Sequence, residues 1–201
     1  MQGIEPCVSV VDDDDLVLRS LERVLKSGGF AVRTFPSSED FLARRPVGPG
    51  CVVLDMAMPG LSGLELQKAL ADSGDPCPVV FLSGESDIPT SVEAMKGGAV
   101  DFLTKPVLRE KLLESVRAAL AKDFAERALR ERRESIALRL ATLTAREREV
   151  LALVVAGLLN KQIAAQLGTA EKTIKVHRAR AMRKMGAASL AGLVHLVGHS
   201  I

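Results

Sequence analysis

The 201-residue sequence contains no tryptophan, no tyrosine and only three cysteines, and aromatic residues make up 3% of it. Proteins that bind single-stranded nucleic acids usually stack bases on aromatic side chains, so this composition disfavours that function. Cys7, Cys51 and Cys77 are widely spaced and odd in number, which fits neither a disulfide framework nor a metal-binding spacing. We therefore expect three reduced cysteines that act as small interior residues.

Long apolar runs are also missing. None reaches the about 18 residues that a membrane helix needs. The first six residues lack a basic region followed by an apolar stretch, so we expect no signal peptide. Hydrophobic residues make up 47% and the formal net charge is only +2, which excludes disorder as the main state. We expect a cytoplasmic globular protein with no membrane partner.

Charge is distributed unevenly along the chain. Residues 1–120 contain 12 Lys and Arg against 18 Asp and Glu, whereas residues 121–201 contain 15 against 7. An acidic first part suggests a metal or phosphate module, and a basic second part suggests a nucleic-acid module. Two domains that merely attract one another would show the same asymmetry, so the motifs have to decide.

The first part alternates short apolar runs with segments of helical periodicity. The runs predict five strands, at residues 8–11, 31–35, 51–54, 79–82 and 100–103. Strands that alternate with helices form a parallel sheet covered on both faces. The prediction is a doubly wound, five-stranded parallel α/β domain, for which the flavodoxin-like strand order 2-1-3-4-5 is a common arrangement.

The second part shows only helical signals. Residues 108–140 contain neither Gly nor Pro, which predicts one long helix whose last third is a solvated linker. Thr144 and Glu147 form the spacing of a capping box at the start of the next helix. Four short helices, two of them joined by a tight turn with glycine, are typical of an all-α helix-turn-helix domain. We predict domains at 1–121 and 141–201, with a helical linker at 122–140.

Polar side chains follow the predicted strands at the point where each ends. They are Asp12, Asp13, Asp55, Ser83 and Lys105. Ligands of open parallel sheets bind at the carboxyl ends of the strands, so we expect these side chains in one crevice. Three carboxylates repel one another, which Mg²⁺ relieves, and a lysine beside a hydroxyl suits a phosphoryl group. Each residue alone is more often a cap, a turn or a surface residue, so the joint pattern carries the prediction.

Four segments within about residues 6–120 resemble the receiver domain of two-component response regulators. They are VDDD at 11–14, LDMAMPG at 54–60, LSG at 82–84 and DFLTKP at 101–106. The resemblance implies that Asp55 accepts a phosphoryl group from a sensor histidine kinase. It also implies a bound Mg²⁺, for which Mn²⁺ can substitute, held by Asp12, Asp13, Asp55 and the backbone carbonyl of Ala57.

The same resemblance implies roles for three further residues of the crevice. Ser83 would hydrogen-bond the phosphoryl group, Lys105 would pair with it, and Phe102 would be the switch aromatic. The peptide bond between Lys105 and Pro106 would be cis.

An enzyme with similar parts is an alternative. Phosphohydrolases of the haloacid-dehalogenase type also use an aspartate nucleophile and Mg²⁺ on a Rossmann-like sheet. They need a second aspartate two positions later, where this sequence has Ala57. We therefore expect no enzymatic activity other than self-phosphorylation and dephosphorylation at Asp55. Ala57 and Glu85 are expected to tune the rate of dephosphorylation.

Residues 171–185 contain six basic residues against one acid. On a helix, Ile174, His177, Ala181 and Met185 share one face, opposite a basic face. A helix with one packing face and one basic face suits the major groove of DNA. A solvated helix that happens to be basic is the alternative, but its place after a short turn and a preceding helix argues against it.

Residues 140–200 closely resemble the LuxR-type helix-turn-helix domain, through LTAREREVL at 143–151 and TIKVH at 173–177. The resemblance places Lys175 and Val176 in the groove, where Lys can donate to guanine and Val can contact a thymine methyl. The expected DNA-contacting residues are Lys172, Thr173, Lys175, Val176, Arg180 and Lys184.

Through both matches the chain is identified as a member of the FixJ/NarL-type response regulators. This implies a phosphorylation-activated transcriptional regulator that dimerises through its receiver, binds promoter double-stranded DNA and contacts RNA polymerase. The alternative is a DNA-binding regulator whose receiver is a constitutive, non-phosphorylated scaffold. For that alternative, Mg²⁺ and a phosphodonor would change nothing.

Overall fold

The structure is a computed structural model that describes residues 5–84 and 88–197. The chain divides into two compact units, Met1–Arg127 and Ala128–Ile201. Within the described residues, no helix is both long and apolar enough to cross a membrane. The three cysteines are free; Cys51 is buried, while Cys7 and Cys77 are half-buried.

In the part of the first unit that the structure describes, the strands form one five-stranded sheet. Its strands are β1 (Cys7–Val11), β2 (Ala31–Phe35), β3 (Gly50–Asp55), β4 (Val79–Ser83) and β5 (Asp101–Thr104). All neighbours are parallel, in the order β2-β1-β3-β4-β5. Every residue of β3 and β4 is buried, as expected where helices cover both faces. The predicted doubly wound parallel sheet is confirmed.

Helices alternate with these strands. They are α1 (Asp15–Ser27), α2 (Ser38–Arg44), α3 (Gly63–Asp72), α4 (Ile88–Lys96) and the beginning of α5 (Arg109–Ala141). Helices α1 and α5 cover one face of the sheet, with Leu21 and Leu113 in that core. Helices α2, α3 and α4 cover the other face, with Phe41, Leu66 and Ala94 in its core. Polar caps begin the first three helices, since the side chains of Asp14, Ser37 and Ser62 accept backbone N–H groups there.

The described residues of the second unit, 128–197, form helices joined by short turns. The unit contains the end of α5, followed by α6 (Ala145–Val155), α7 (Asn160–Gln166), α8 (Glu171–Met185) and α9 (Leu190–Val197). Their apolar faces form one core that includes Val150, Ile163 and Ile174. The predicted capping box between Thr144 and Glu147 is present at the start of α6. The four predicted short helices are confirmed.

The long helix α5 spans 33 residues, close to its predicted length. It is less uniformly solvated beyond residue 121 than we expected. Asp123 is buried, and its carboxylate accepts the N–H of Gly50 at 2.9 Å. Ile136 is buried in the core of the second unit, against which Leu140 also packs. The exposed part of the helix is therefore shorter than residues 122–140, whose role as a linker stays a prediction.

Candidate functional site

Three of the predicted side chains meet at the carboxyl end of the sheet. Asp12 directly follows β1, Asp55 ends β3, and Lys105 follows β5. Since parallel strands end at the same edge, their terminal residues come together. The Nζ atom of Lys105 lies 2.6 Å from Oδ2 of Asp12 and 2.5 Å from Oδ1 of Asp55. One ammonium group thus bridges two carboxylates.

Burial and hydrogen bonding act against one another in this cluster. Asp12 and Asp55 are only 1% and 5% exposed. Burial raises the pKa of Asp55, although the hydrogen bond and the charge of Lys105 act in the opposite direction. Burial also acts to lower the pKa of Lys105, but its hydrogen bonds to both carboxylates outweigh this and the pKa is raised. The carboxylates share one cation, which leaves negative charge for a second cation to neutralise.

Two of the predicted metal ligands, Asp12 and Asp55, are brought together at Lys105. The Asp13 side chain is exposed, and Lys105 stands between Asp12 and Asp55. Among the residues that the structure describes, no three His, Cys, Asp or Glu side chains lie close enough to hold a metal ion. Asp12 and Asp55 nevertheless supply the oxygen donors that Mg²⁺ prefers, so the residues present fit that ion. The complete ligand set stays a prediction.

The other predicted crevice residues flank the cluster. Ser83 ends β4 and is buried, and its carbonyl accepts the N–H of Lys105 at 2.7 Å. Phe102 lies in β5, half-buried, with its ring centroid 6.3 Å from that of Phe81. The peptide bond between Lys105 and Pro106 is cis, as the resemblance implied.

Ala57 lies in the loop after β3. Ala57 is exposed, and its backbone N–H donates to Oδ2 of Asp55 at 2.9 Å. A methyl side chain cannot transfer a proton, so the position two residues after Asp55 supplies no general acid. Glu85, the other residue expected to tune dephosphorylation, lies outside the described residues.

Helix α8 has the two faces that its sequence predicts. Ile174, Ala181 and Met185 are buried in the core of the second unit. His177 is half-buried on the same side, and its Nδ1 atom has no hydrogen-bond partner among the described residues. The basic face lies opposite, toward solvent.

Five of the six expected DNA-contacting residues are exposed on α8: Lys172, Thr173, Lys175, Val176 and Arg180. The exposed pair between Lys175 and Glu171, with 3.2 Å between Nζ and Oε1, leaves Lys175 free to exchange partners. Lys184 differs from the other five, because its Nζ donates to Oε2 of Glu147 at 2.6 Å and to the carbonyl of Thr142 at 3.0 Å. We therefore assign Lys184 to the packing of the second unit.

Glu147 is a structural residue that the sequence identified only as part of a cap. It is 3% exposed and accepts hydrogen bonds from Lys184 and from the N–H of Thr144. The hydrogen bond from Lys184, followed by that from Thr144, lowers the pKa of Glu147 to about 2. No local spacing could indicate the contact with Lys184, which is 37 residues away.

The two units match two known domain families. A response regulator receiver domain matches residues 8–117, and the luxR family of bacterial regulatory proteins matches residues 141–197. The transcriptional regulatory protein FixJ of Azorhizobium caulinodans is 45% identical, over 94% of this chain and 90% of that protein. The chain belongs to the FixJ/NarL-type response regulators.

Further relatives match this response regulator over most of their length. Nodulation protein W of Bradyrhizobium diazoefficiens is 44% identical, over 94% of this chain and 84% of that protein. The solved structure of the response regulator StyR is 47% identical, with a TM-score of 0.88 over 98% of this chain and 100% of that chain.

Membership establishes the general function. The response regulator combines a receiver domain with a LuxR-type DNA-binding domain, and it is a transcriptional regulator of a two-component system. Such a combination implies a sensor kinase and DNA as partners. Receiver domains of this family generally bind Mg²⁺ at the phosphorylation site.

Proposed function

We propose that Asp55 accepts a phosphoryl group from a sensor histidine kinase, and that this modification drives receiver dimerisation and promoter binding. The observation that carries the proposal is the cluster of Asp12, Asp55 and Lys105 on a chain that also presents the exposed basic face of α8. A buried nucleophile with an adjacent cation suits phosphoryl transfer, whose catalysis is mainly positioning and charge stabilisation.

Each residue of the cluster has a part in this chemistry. An oxygen of Asp55 attacks phosphorus while the bond to the donor nitrogen breaks, and the donor histidine leaves as it takes up a proton. Lys105, which already contacts Oδ1 of Asp55, pairs with the oxygens of the transferred group. The hydroxyl of Ser83 donates a hydrogen bond to one of them.

Magnesium is the proposed cofactor, and Mn²⁺ can replace it because oxygen ligands suit both ions. Asp12, Asp13, Asp55 and the backbone carbonyl of Ala57 would hold it. The cation supplies positive charge for the oxygens of the phosphoryl group. The two buried carboxylates, which share a single ammonium, support this assignment.

Exposed apolar side chains on α4 support dimerisation of the receiver. Ile88, Val92 and Met95 recur at steps of four and three, and all three are exposed. We propose that the phosphoryl group draws Ser83 inward and shifts Phe102, which remodels the face of α4 and β5. Two receivers then pair through this face as a homodimer.

The homodimer presents two α8 helices to neighbouring half-sites of promoter DNA. Lys172, Thr173, Lys175, Val176 and Arg180 face the groove and its phosphates. RNA polymerase is the proposed downstream partner, since the chain is a transcriptional regulator.

Intact mass tests the first step. After incubation with Mg²⁺ and acetyl phosphate, the wild-type chain is expected to gain the mass of one phosphoryl group, and Asp55→Asn none. Asp72→Asn removes an exposed aspartate elsewhere in the first unit, so it is expected to behave as the wild type. An adduct that persists in Asp55→Asn would contradict Asp55 as the acceptor. An unmodified wild type would favour the constitutive scaffold.

A further inference from the structure

The loop between β3 and α3 carries the backbone carbonyl of Ala57 and is held at both ends. At its beginning, the N–H of Met56 donates to the carbonyl of Leu82 and that of Ala57 donates to Asp55, each at 2.9 Å. At its other end, the N–H of Leu61 donates to Oε1 of Glu39 at 2.9 Å. Glu39 belongs to α2, so the loop is tied to a separate helix.

Glu39 fits this position closely. It lies in the first turn of α2, where the helix dipole favours a carboxylate. The N–H of Leu61 lowers its pKa, so the side chain is ionised at neutral pH. Gly60 has a φ of +81°, and a Cβ there would lie 2.6 Å from Oε1 of Glu39. The backbone of the loop therefore approaches the carboxylate more closely than another residue at position 60 would permit.

We propose that Glu39 is a positioning residue for the metal site, because it holds the loop so that the carbonyl of Ala57 faces a cation bound with Asp12 and Asp55. The inference rests on the proposed Mg²⁺ binding of the receiver. Groups that orient metal ligands from behind affect affinity strongly, typically by about 10–100-fold. Glu39 acts through the loop, so we expect the lower end of that range.

Mg²⁺ titration of the full chain by isothermal calorimetry tests the proposal. Glu39→Ala is expected to bind Mg²⁺ about 10-fold more weakly than the wild type. Glu39→Gln keeps an oxygen that accepts the N–H of Leu61, so its affinity for Mg²⁺ is expected to fall much less. Asp40→Ala is the matched control, because Asp40 lies in the same turn but pairs with Arg44 of its own helix. Its affinity is expected to stay at the wild-type value.

Two further measurements separate positioning from other effects. Without metal, the amide of Leu61 is expected to exchange its hydrogen faster in Glu39→Ala and at the wild-type rate in Asp40→Ala. Gly60→Ala places a Cβ 2.6 Å from Oε1 of Glu39 and so disturbs the same contact from the side of the loop. It is expected to weaken Mg²⁺ binding as Glu39→Ala does.

Several outcomes would overturn the inference. Unchanged Mg²⁺ affinity in Glu39→Ala would overturn it while leaving the proposed function in place. Equal losses in Glu39→Ala, Glu39→Gln and Asp40→Ala would show attraction by charge at a distance and overturn positioning. A wild-type chain that bound no Mg²⁺ would overturn both this inference and the metal part of the proposed function.

Discussion

Lys105 and Lys184 each place an ammonium group against carboxylates that are distant in sequence, 93 residues away for Asp12 and 37 for Glu147. Their surroundings nevertheless give opposite results. At Lys105, burial dominates and the pKa of Asp55 is raised. At Lys184, the hydrogen bond dominates and the pKa of Glu147 is lowered. The first arrangement suits a reactive site, whereas the second stabilises the contact between α6 and α8.

The ion pair of Glu147 makes the stability of the second unit depend on pH. Because the folded-state pKa lies below the ordinary value, the contribution is complete above about 4.5 and is lost as the pH falls toward about 2. Glu147→Gln is expected to lower the unfolding temperature at pH 7. The difference in unfolding temperature between this variant and the wild type should become smaller below pH 4.5. Calorimetry of the full chain between pH 7 and pH 3 measures this.

Glu149→Gln is the control for that titration. Glu149 lies on the same helix but forms an exposed pair with Arg146, with 2.9 Å between Nη1 and Oε2. Exposed ion pairs contribute little to stability, so the unfolding temperature of this variant should equal that of the wild type at every pH. If the difference in unfolding temperature between Glu147→Gln and the wild type stayed constant down to pH 3, the assigned ion pair would be refuted.

At the scale of single helices, α8 divides its residues between packing and recognition. Its buried side packs into the core of the second unit, and its exposed side carries Lys175 and Val176. The last turn departs from this division, since Lys184 turns back to Glu147. We therefore expect specificity for DNA sequence to depend on the exposed residues in the first two-thirds of the helix.

Lys175→Ala tests that division. Loss of one good base contact is expected to cost about 1–3 kcal/mol of discrimination between the preferred site and a variant at that base pair. The preferred site is obtained by selection from random duplexes with the wild-type chain, and fluorescence anisotropy gives the affinities. Lys184→Met is the comparison, because it should reduce stability but not discrimination. An equal loss on every DNA sequence would mean that Lys175 contacts phosphate alone.

Helix α6 depends on its first turn. The hydroxyl of Thr144 accepts the N–H of Glu147, and the carboxylate of Glu147 accepts the N–H of Thr144. Thr144→Ala is expected to lower the free energy of unfolding of the second unit by about 1 kcal/mol, whereas Thr144→Ser should nearly match the wild type. Calorimetry measures both. Equal stability of all three chains would show that the cap contributes nothing.

At the scale of the whole molecule, an acidic receiver and a basic DNA-binding unit are parts of one chain. Phosphorylation with acetyl phosphate and Mg²⁺ is expected to convert the wild type to a dimer and to tighten its binding to the selected DNA. Analytical ultracentrifugation and anisotropy measure the two changes. Binding should weaken as salt rises, because DNA phosphates release counterions when they are contacted.

Asp55→Asn is the control for this coupling. It is expected to remain in the resting oligomeric state and to bind DNA as the untreated wild type does. If Asp55→Asn bound the selected DNA as tightly as phosphorylated wild type, in the same oligomeric state, the proposed switch would be wrong and the constitutive scaffold would replace it.

Most of the fold could be predicted because its signals are local. Short apolar runs indicate buried strands, and a capping residue at the start of a periodic segment indicates a helix. The meeting of Asp12, Asp55 and Lys105 was also predictable, since parallel strands end at one edge of the sheet. The exposure of Asp13 was not predictable from the strand end alone, and its part in the metal site stays a prediction.

The sequence by itself determined the two domain types, the parallel sheet, the two faces of α8 and the aspartate that ends β3. Periodicity, helix caps and strand ends depend on residues that are close together in sequence, so a short segment is enough to predict them. Only the tertiary structure decided that Lys105 bridges two carboxylates, that Lys184 turns to Glu147, and that Glu39 holds the loop after β3. Each of these contacts joins residues from separate elements, and only packing brings such residues within hydrogen-bonding distance.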